Sequence, residues 1–146
     1  MVEKTKVGSS AAIESFELAG IAARFVASII DSILIALIAA VLIGVVLSLS
    51  GARLVEVAGL ALPLLYHWYF WTRLDGQTPG KSALGIRVIK VDGSEISGTD
   101  ALIRAIGYHV SAAICGLGYI WAIFDRNNQT WHDKLAGTYV VTAKGS

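Results

Sequence analysis

Charge is scarce in this sequence. Of its 146 residues only 16% are Asp, Glu, Lys or Arg, whereas 55% are apolar. Soluble domains carry about a quarter charged residues, so the groups that keep a globule in water are thin here. The net charge of +1 leaves neither a basic nor an acidic excess, which excludes nucleic acid as a partner. Cysteine is nearly absent as well. Cys115 stands alone, so no intrachain disulfide can form, and the redox compartment is left open. Formal charge is missing altogether from residues 32–52 and 105–124.

What the sequence has instead is apolar length. Mean hydropathy is +0.63. A helical pattern begins near Ile21 and runs to Leu49, which as a helix would measure about 44 Å. A bilayer core is about 30 Å thick, so this helix must tilt or keep its first turns among the headgroups. The run is far longer than a signal-peptide core, and the first segment is expected to be retained. A second apolar segment covers about residues 54–71, with Pro63 in its middle and an aromatic run, Tyr66-His67-Trp68-Tyr69-Phe70-Trp71, at its end. Trp and Tyr favour the membrane–water interface, so this run reads as a belt, with His67 interfacial. The third segment is 105–124. Residues 1–16 form a polar N-terminal segment, 17–142 one membrane domain and 143–146 a tail.

Between the second and third segments lies a polar stretch of about 30 residues. Ile86-Arg87-Val88-Ile89-Lys90-Val91 is β-branched and partly alternating, and Asp92-Gly93 ends it, a strand followed by a turn. Thr138-Tyr139-Val140-Val141-Thr142 offers a partner strand. A two-stranded ribbon alone is marginal, so it must rest on the helices. Arg73, Lys81, Arg87 and Lys90 load the second connection, whereas the first holds only Arg53. The positive-inside rule then places residues 74–100 and the N-terminus in the cytoplasm. Two topologies remain for the third segment. A full span would carry Arg126 and Lys134 outside and separate the strands. A break at Cys115-Gly116-Leu117-Gly118 would make a re-entrant hairpin with both ends inside. The fold class is therefore an all-α membrane protein of about three hydrophobic helices, the third spanning or re-entrant, with a small cytoplasmic β-ribbon.

Few residues in these segments can carry chemistry. Asp31 is the most informative, since a carboxylate within an apolar helix costs roughly 2.5–3.5 kcal/mol on insertion scales. Arg24 lies two turns earlier on the same face, making an Arg24–Asp31 ion pair the first structural expectation, with an ion or proton site as the rival. Arg104 opens the third segment as an alternative partner for Asp31. His109 could relay protons, or simply bond a neighbouring helix. Gly76-Gln77-Thr78-Pro79-Gly80-Lys81-Ser82 looks like a phosphate loop but has three residues between its glycines where four are needed. His132-Asp133 lacks a second ligand at zinc-type spacing. No nucleophile has a motif around it, so neither an enzyme nor a cofactor is expected. Gly44, Gly107, Gly116 and Gly118 read as sites of close helix packing.

The pattern as a whole resembles the RDD family of small bacterial and archaeal membrane proteins, named for one arginine and two aspartates. The matching residues are Arg24 and Asp31 in Ala23-Arg24-Phe25-Val26-Ala27-Ser28-Ile29-Ile30-Asp31, then Thr78-Pro79-Gly80-Lys81-Ser82-Ala83-Leu84-Gly85-Ile86-Arg87-Val88 with Asp92-Gly93. Arg104 and Gln129-Thr130-Trp131-His132-Asp133-Lys134-Leu135-Ala136-Gly137-Thr138 complete it. The second aspartate corresponds to Asp133, with Asp125 nearby, and Trp131 stands where a small or aliphatic residue is usual. The resemblance implies a multi-pass protein of a prokaryotic plasma membrane and transport of an unidentified ligand, with cation/proton exchange as the specific form. Three segments cannot enclose a path alone, so a transporter would be a homo-oligomer or join a membrane partner protein. The rival function is a non-transporting scaffold or accessory subunit that docks cytoplasmic partners.

Overall fold

A computed structural model describes residues 16–49, 52–114 and 116–143. Residues 1–15, 50–51, Cys115 and 144–146 lie outside the described residues, and with them most of the expected N-terminal segment and tail. The elements in chain order are α1 (Ile21–Leu49), α2 (Ala52–Arg73), α3 (Pro79–Ala83), β1 (Ile86–Lys90), α4 (Gly98–Ala113), α5 (Leu117–Phe124), α6 (Trp131–Leu135) and β2 (Thr138–Thr142).

α1 forms over the range that its pattern demands. Its Ile21–Val45 portion is long and apolar enough to cross a membrane, the only single helix among the described residues that passes on length and composition. α2 is 22 residues long with Pro63 inside it. Three short caps start the later helices. Thr78 Oγ1 accepts the Lys81 N–H at 3.3 Å and Pro79 sits in the first turn of α3. Ser97 with Asp100, and Thr130 with Asp133, form reciprocal capping boxes at the starts of α4 and α6.

β1 and β2 pair antiparallel, with Val88 opposite Val140 and Lys90 opposite Thr138. The expected ribbon is present. Leu18 bridges Val141 on the free side of β2, and the Thr142 N–H donates to the Glu17 carbonyl at 2.8 Å. Alternation divides the ribbon's side chains between two clusters. Ile86, Val88 and Val140 pack with Trp71, Ala27, Ala101 and Ala105. Ile89, Tyr139 and Val141 pack with Phe16, Leu18 and Val91. Gly76, at φ +75°, ties α2 to the ribbon: its N–H donates to the Trp71 carbonyl and its carbonyl accepts the Val88 N–H at 3.0 Å. A Cβ there would run into the Val88 backbone.

The third apolar segment, 105–124, is not one continuous helix. α4 and α5 meet at a bend of 100°. Gly116 turns the chain at φ +73°, a left-handed conformation that glycine adopts without a Cβ penalty. Gly118 then lies so close to Ser111 that any side chain would collide with it, which lets α5 fold against α4. Since β1 precedes α4 and β2 follows α6, strand pairing brings both ends of the segment back to one sheet.

The aromatic belt is also corrected in part. Tyr66, His67 and Trp71 are buried, and only Tyr69 is well exposed. Positions 67 and 71 are one helical turn apart and face α4 and the ribbon, where His67 stacks 5.0 Å from Trp71 and 4.7 Å from Tyr108. Among the expected packing glycines, Gly107 touches His132 and Gly118 touches Ser111, whereas Gly44 meets none of the described residues.

Candidate functional site

Two buried carboxylates organise the polar end of the molecule. Asp133, in the first turn of α6, has no exposed side-chain surface. One of its oxygens meets the Arg24 guanidinium from α1 and the Thr130 N–H, the latter at 2.9 Å. The other meets the Arg104 guanidinium from α4. Arg24 also donates to the Asn128 carbonyl, and Arg104 to Thr138 Oγ1 at the start of β2. One carboxylate thus fastens α1, α4, the 125–130 loop, α6 and, through Arg104, β2. Burial pushes its pKa up, but the guanidiniums of Arg104 and Arg24 outweigh that and hold it well below the usual carboxylate range.

Asp31 builds the second site. Its carboxylate accepts from Thr78 Oγ1 at 2.5 Å, from the Gly80 N–H at 2.8 Å and from the Tyr66 hydroxyl at 3.0 Å. Three donors from α2 and the α3 loop replace the water it loses. Gly80 can approach because it has no side chain; a Cβ would overlap the Ala27 carbonyl oxygen and crowd the Asp31 carboxylate. The Thr-Pro-Gly-Lys run is therefore not a phosphate loop but the latch that receives Asp31.

Both expected partners of Asp31 are corrected by this arrangement. Arg24 and Asp31 share a face of α1 but stand about 10 Å apart along it, and each finds a nearer partner on another element. Arg104 lies on α4, which packs against α2 and α6, and there it meets Asp133 instead. Asp125 pairs with Lys134 and accepts N–H groups from Asn127 and Gln129, closing its own loop. His109 joins neither site. It is half-buried, its Nε2 has no hydrogen-bond partner among the described residues, and the expected bond to a neighbouring helix is not formed.

Between the two carboxylates lies a lysine that the sequence placed in a polar connection rather than in the buried region. Lys81 is buried, with its ammonium 5.6 Å from the centre of the Trp71 ring, against which Arg104 also packs at 4.9 Å. It forms no ion pair among the described residues. Burial, then the nearby Arg104 charge, bring its pKa down to about 8. His132 is held neutral by burial and lies between Tyr108 and Tyr119, 5.2 and 5.4 Å away. The buried region so contains three basic side chains, Arg24, Lys81 and Arg104, against two carboxylates, Asp31 and Asp133. A signal for part of this was present. Thr130-Trp131-His132-Asp133 has capping-box spacing, which places Asp133 at a helix start rather than in a metal motif. Nothing in the spacing pointed to Tyr66, Thr78 or Lys81.

Comparison with known proteins agrees with the resemblance drawn from the residues. The model of the RDD family matches residues 18–137. The proline-rich antigen homolog of Mycobacterium tuberculosis is 29% identical over 89 residues, covering 60% of this chain and 37% of that protein. Protein FAM8A1 of Homo sapiens is 34% identical over 84 residues, covering 48% and 20%. The uncharacterized protein YckC of Bacillus subtilis is 37% identical over 79 residues, covering 51% and 50%. The chain spans half or less of the length of these curated relatives. No solved structure gives a significant match.

Proposed function

The chain belongs to the RDD family, and from that premise we propose that it is a multi-pass plasma-membrane protein acting as a non-transporting scaffold or accessory subunit. In this reading the N-terminus and residues 74–100 are cytoplasmic, because the basic residues cluster there. The polar residues fasten the cytoplasmic ribbon to the membrane helices, and the ribbon side is what a partner meets. One observation carries the reading: both Asp133 oxygens are already committed to guanidiniums from two different helices. A carboxylate held so far below its ordinary pKa does not release and rebind protons near neutrality. Asp31 is likewise occupied by three donors. No catalysis is assigned.

Transport of an unidentified ligand by an oligomer is the second reading, with cation/proton exchange as its specific form. Lys81 favours it, since a buried base poised at about 8 can exchange protons in a working range. The two readings separate on Arg24→Gln, Asp133→Asn and their double variant, with melting temperature and cation-driven proton flux in reconstituted vesicles measured together. Fastening expects both single variants to lose stability, the double variant to recover only part of it because Arg104 is still left without its carboxylate, and no flux in any of them. Wild-type flux lost in Asp133→Asn at unchanged stability would establish transport instead.

A further inference from the structure

We propose that α4 and α5 form a wedge that enters one leaflet and leaves on the side where it entered, so that its partner is the acyl layer of the cytoplasmic leaflet. The inference rests on the membrane placement proposed above, but not on either choice of function. Strand pairing is the first argument. β1 before the wedge and β2 after it are hydrogen-bonded neighbours, and a ribbon cannot have its two strands on opposite sides of a bilayer. Geometry is the second. α4 has 16 residues and α5 has 8, giving arms of about 24 and 12 Å. A 100° bend leaves about 80° between the arms, so the tip lies about 11 Å below the line joining the ends. One leaflet of the hydrocarbon core is about 15 Å deep. The wedge fits within it and cannot reach the far side.

Chemistry agrees with that depth. Buried faces of small residues, Ala101, Ala105, Gly107 and Ser111, turn α4 toward the protein, while Leu102, Ile106 and Val110 are left outward. On α5, Ile120, Ile123 and Phe124 are exposed, Phe124 by 80%. Backbone at membrane depth must satisfy its own polar groups. Among the described residues of the tip, the Gly116 N–H donates to the Ser111 carbonyl, the Leu117 N–H to Ile114, and the Tyr119 and Ile120 N–H groups to Gly116. Where the shorter arm ends, Trp121 faces Trp131, and Lys134 sits 5.8 Å over the Trp121 ring while pairing with Asp125. Tryptophan and a tethered lysine at that point suit the headgroup level.

The test uses the full chain in lipid vesicles with Cys115→Ala and one added cysteine at a time, at exposed positions: Thr99→Cys, Arg126→Cys, Ile114→Cys and Val41→Cys. An impermeant thiol reagent should modify positions 99 and 126 from the same face. A fluorophore at 114 should be quenched by nitroxides high in the acyl chain more than by nitroxides at its methyl end. Labelling of 99 and 126 from opposite faces would overturn the wedge. So would a position 114 that is shielded from lipid quenchers but crosslinks to its copy, which would make the apolar face a dimer contact. If position 41 also escapes every lipid quencher, the membrane placement itself fails, a result distinct from failure of the wedge alone.

Discussion

The two parts of α1 have opposite environments within one helix. In its first eleven residues Ala27 and Asp31 are buried and Arg24 is anchored to α6. From Ser32 onward no described residue is buried, and Val41 is 69% exposed. The difference shows which part of a membrane helix specifies a structure. Contact with lipid is degenerate, because any apolar side chain meets acyl chains about equally well. A buried carboxylate or guanidinium has few arrangements that replace its lost water. The polar end therefore fixes how α1, α4, α6 and the ribbon meet, and the apolar end supplies only a run long and apolar enough to cross a membrane.

The sharpest way to break this comparison is Asp133→Asn set against Val41→Ala. Removing one partner from a buried ion cluster costs about 3–5 kcal/mol, since the remaining charges stay behind uncompensated. Here two guanidiniums would be left. Melting temperature in mild detergent should fall steeply for Asp133→Asn and little for Val41→Ala. Equal losses would mean that the polar end is no more specific than the apolar one.

A smaller effect is expected from Lys81, and it depends on pH. Its pKa falls from 10.5 to about 8 on folding, so between those values the unfolded chain binds the proton that the folded chain has released. Stability then rises with pH across roughly pH 8 to 10.5, by about 3–4 kcal/mol in all. Below pH 8 the buried ammonium is a standing cost, and Lys81→Met should melt higher than the wild type there. Above pH 10.5 the difference should vanish. A wild-type profile that is flat over this window, or the same slope in Lys81→Met, would remove Lys81 from the polar core's energetics.

Gly80→Ala comes next. Its Cβ would meet the Ala27 carbonyl oxygen and the Asp31 carboxylate, so α3 must shift and the 2.8 Å bond from the Gly80 N–H must lengthen. Overpacking of this kind costs about 1–3 kcal/mol. Asp31→Asn in the Gly80→Ala background should then cost much less than Asp31→Asn alone, because the contact is already lost. Strictly additive melting shifts would show that the two residues do not act through one latch.

Much of this fold was legible in the sequence, for reasons that differ by element. α1 and the ribbon follow from uncharged length and from β-branched runs bounded by turns, both local signals. Arg24 and Asp31 were identifiable because charge inside apolar segments is rare, Arg104 because it opens the third segment, and Asp133 through the family resemblance. Their pairing was not. Arg24 and Asp31 invite each other by helical spacing, yet Asp133 lies 109 positions from Arg24, and no periodicity reports such a distance. The break between α4 and α5 was legible as two glycines and as the basic residues and strand that a full span would carry outside, yet 20 uncharged residues read equally well as one crossing. Tyr66 and His67 were misplaced for a related reason: an aromatic run suits an interface by composition, and only the packing of α2 against α4 turns part of it inward.

The smallest effect tests the apolar half on its own terms. Gly44 was expected to mark close packing between helices, but a Cβ there meets nothing within 4 Å among the described residues. Within one copy of the chain Gly44→Ala should therefore be neutral or stabilising by up to about 1 kcal/mol, because alanine restricts the unfolded backbone and favours helix. The same substitution reports on assembly. Where two membrane helices approach through a glycine, the interface tolerates no added methyl group, and association weakens. If the outer half of α1 faces lipid, as its exposure indicates, Gly44→Ala should leave the particle mass in mild detergent unchanged while the melting temperature holds or rises slightly. A lower particle mass at undiminished thermal stability would place a second copy against Gly44. The apolar half would then be specific after all, through a contact between chains, and the contrast between the two parts of α1 would hold only for the isolated chain.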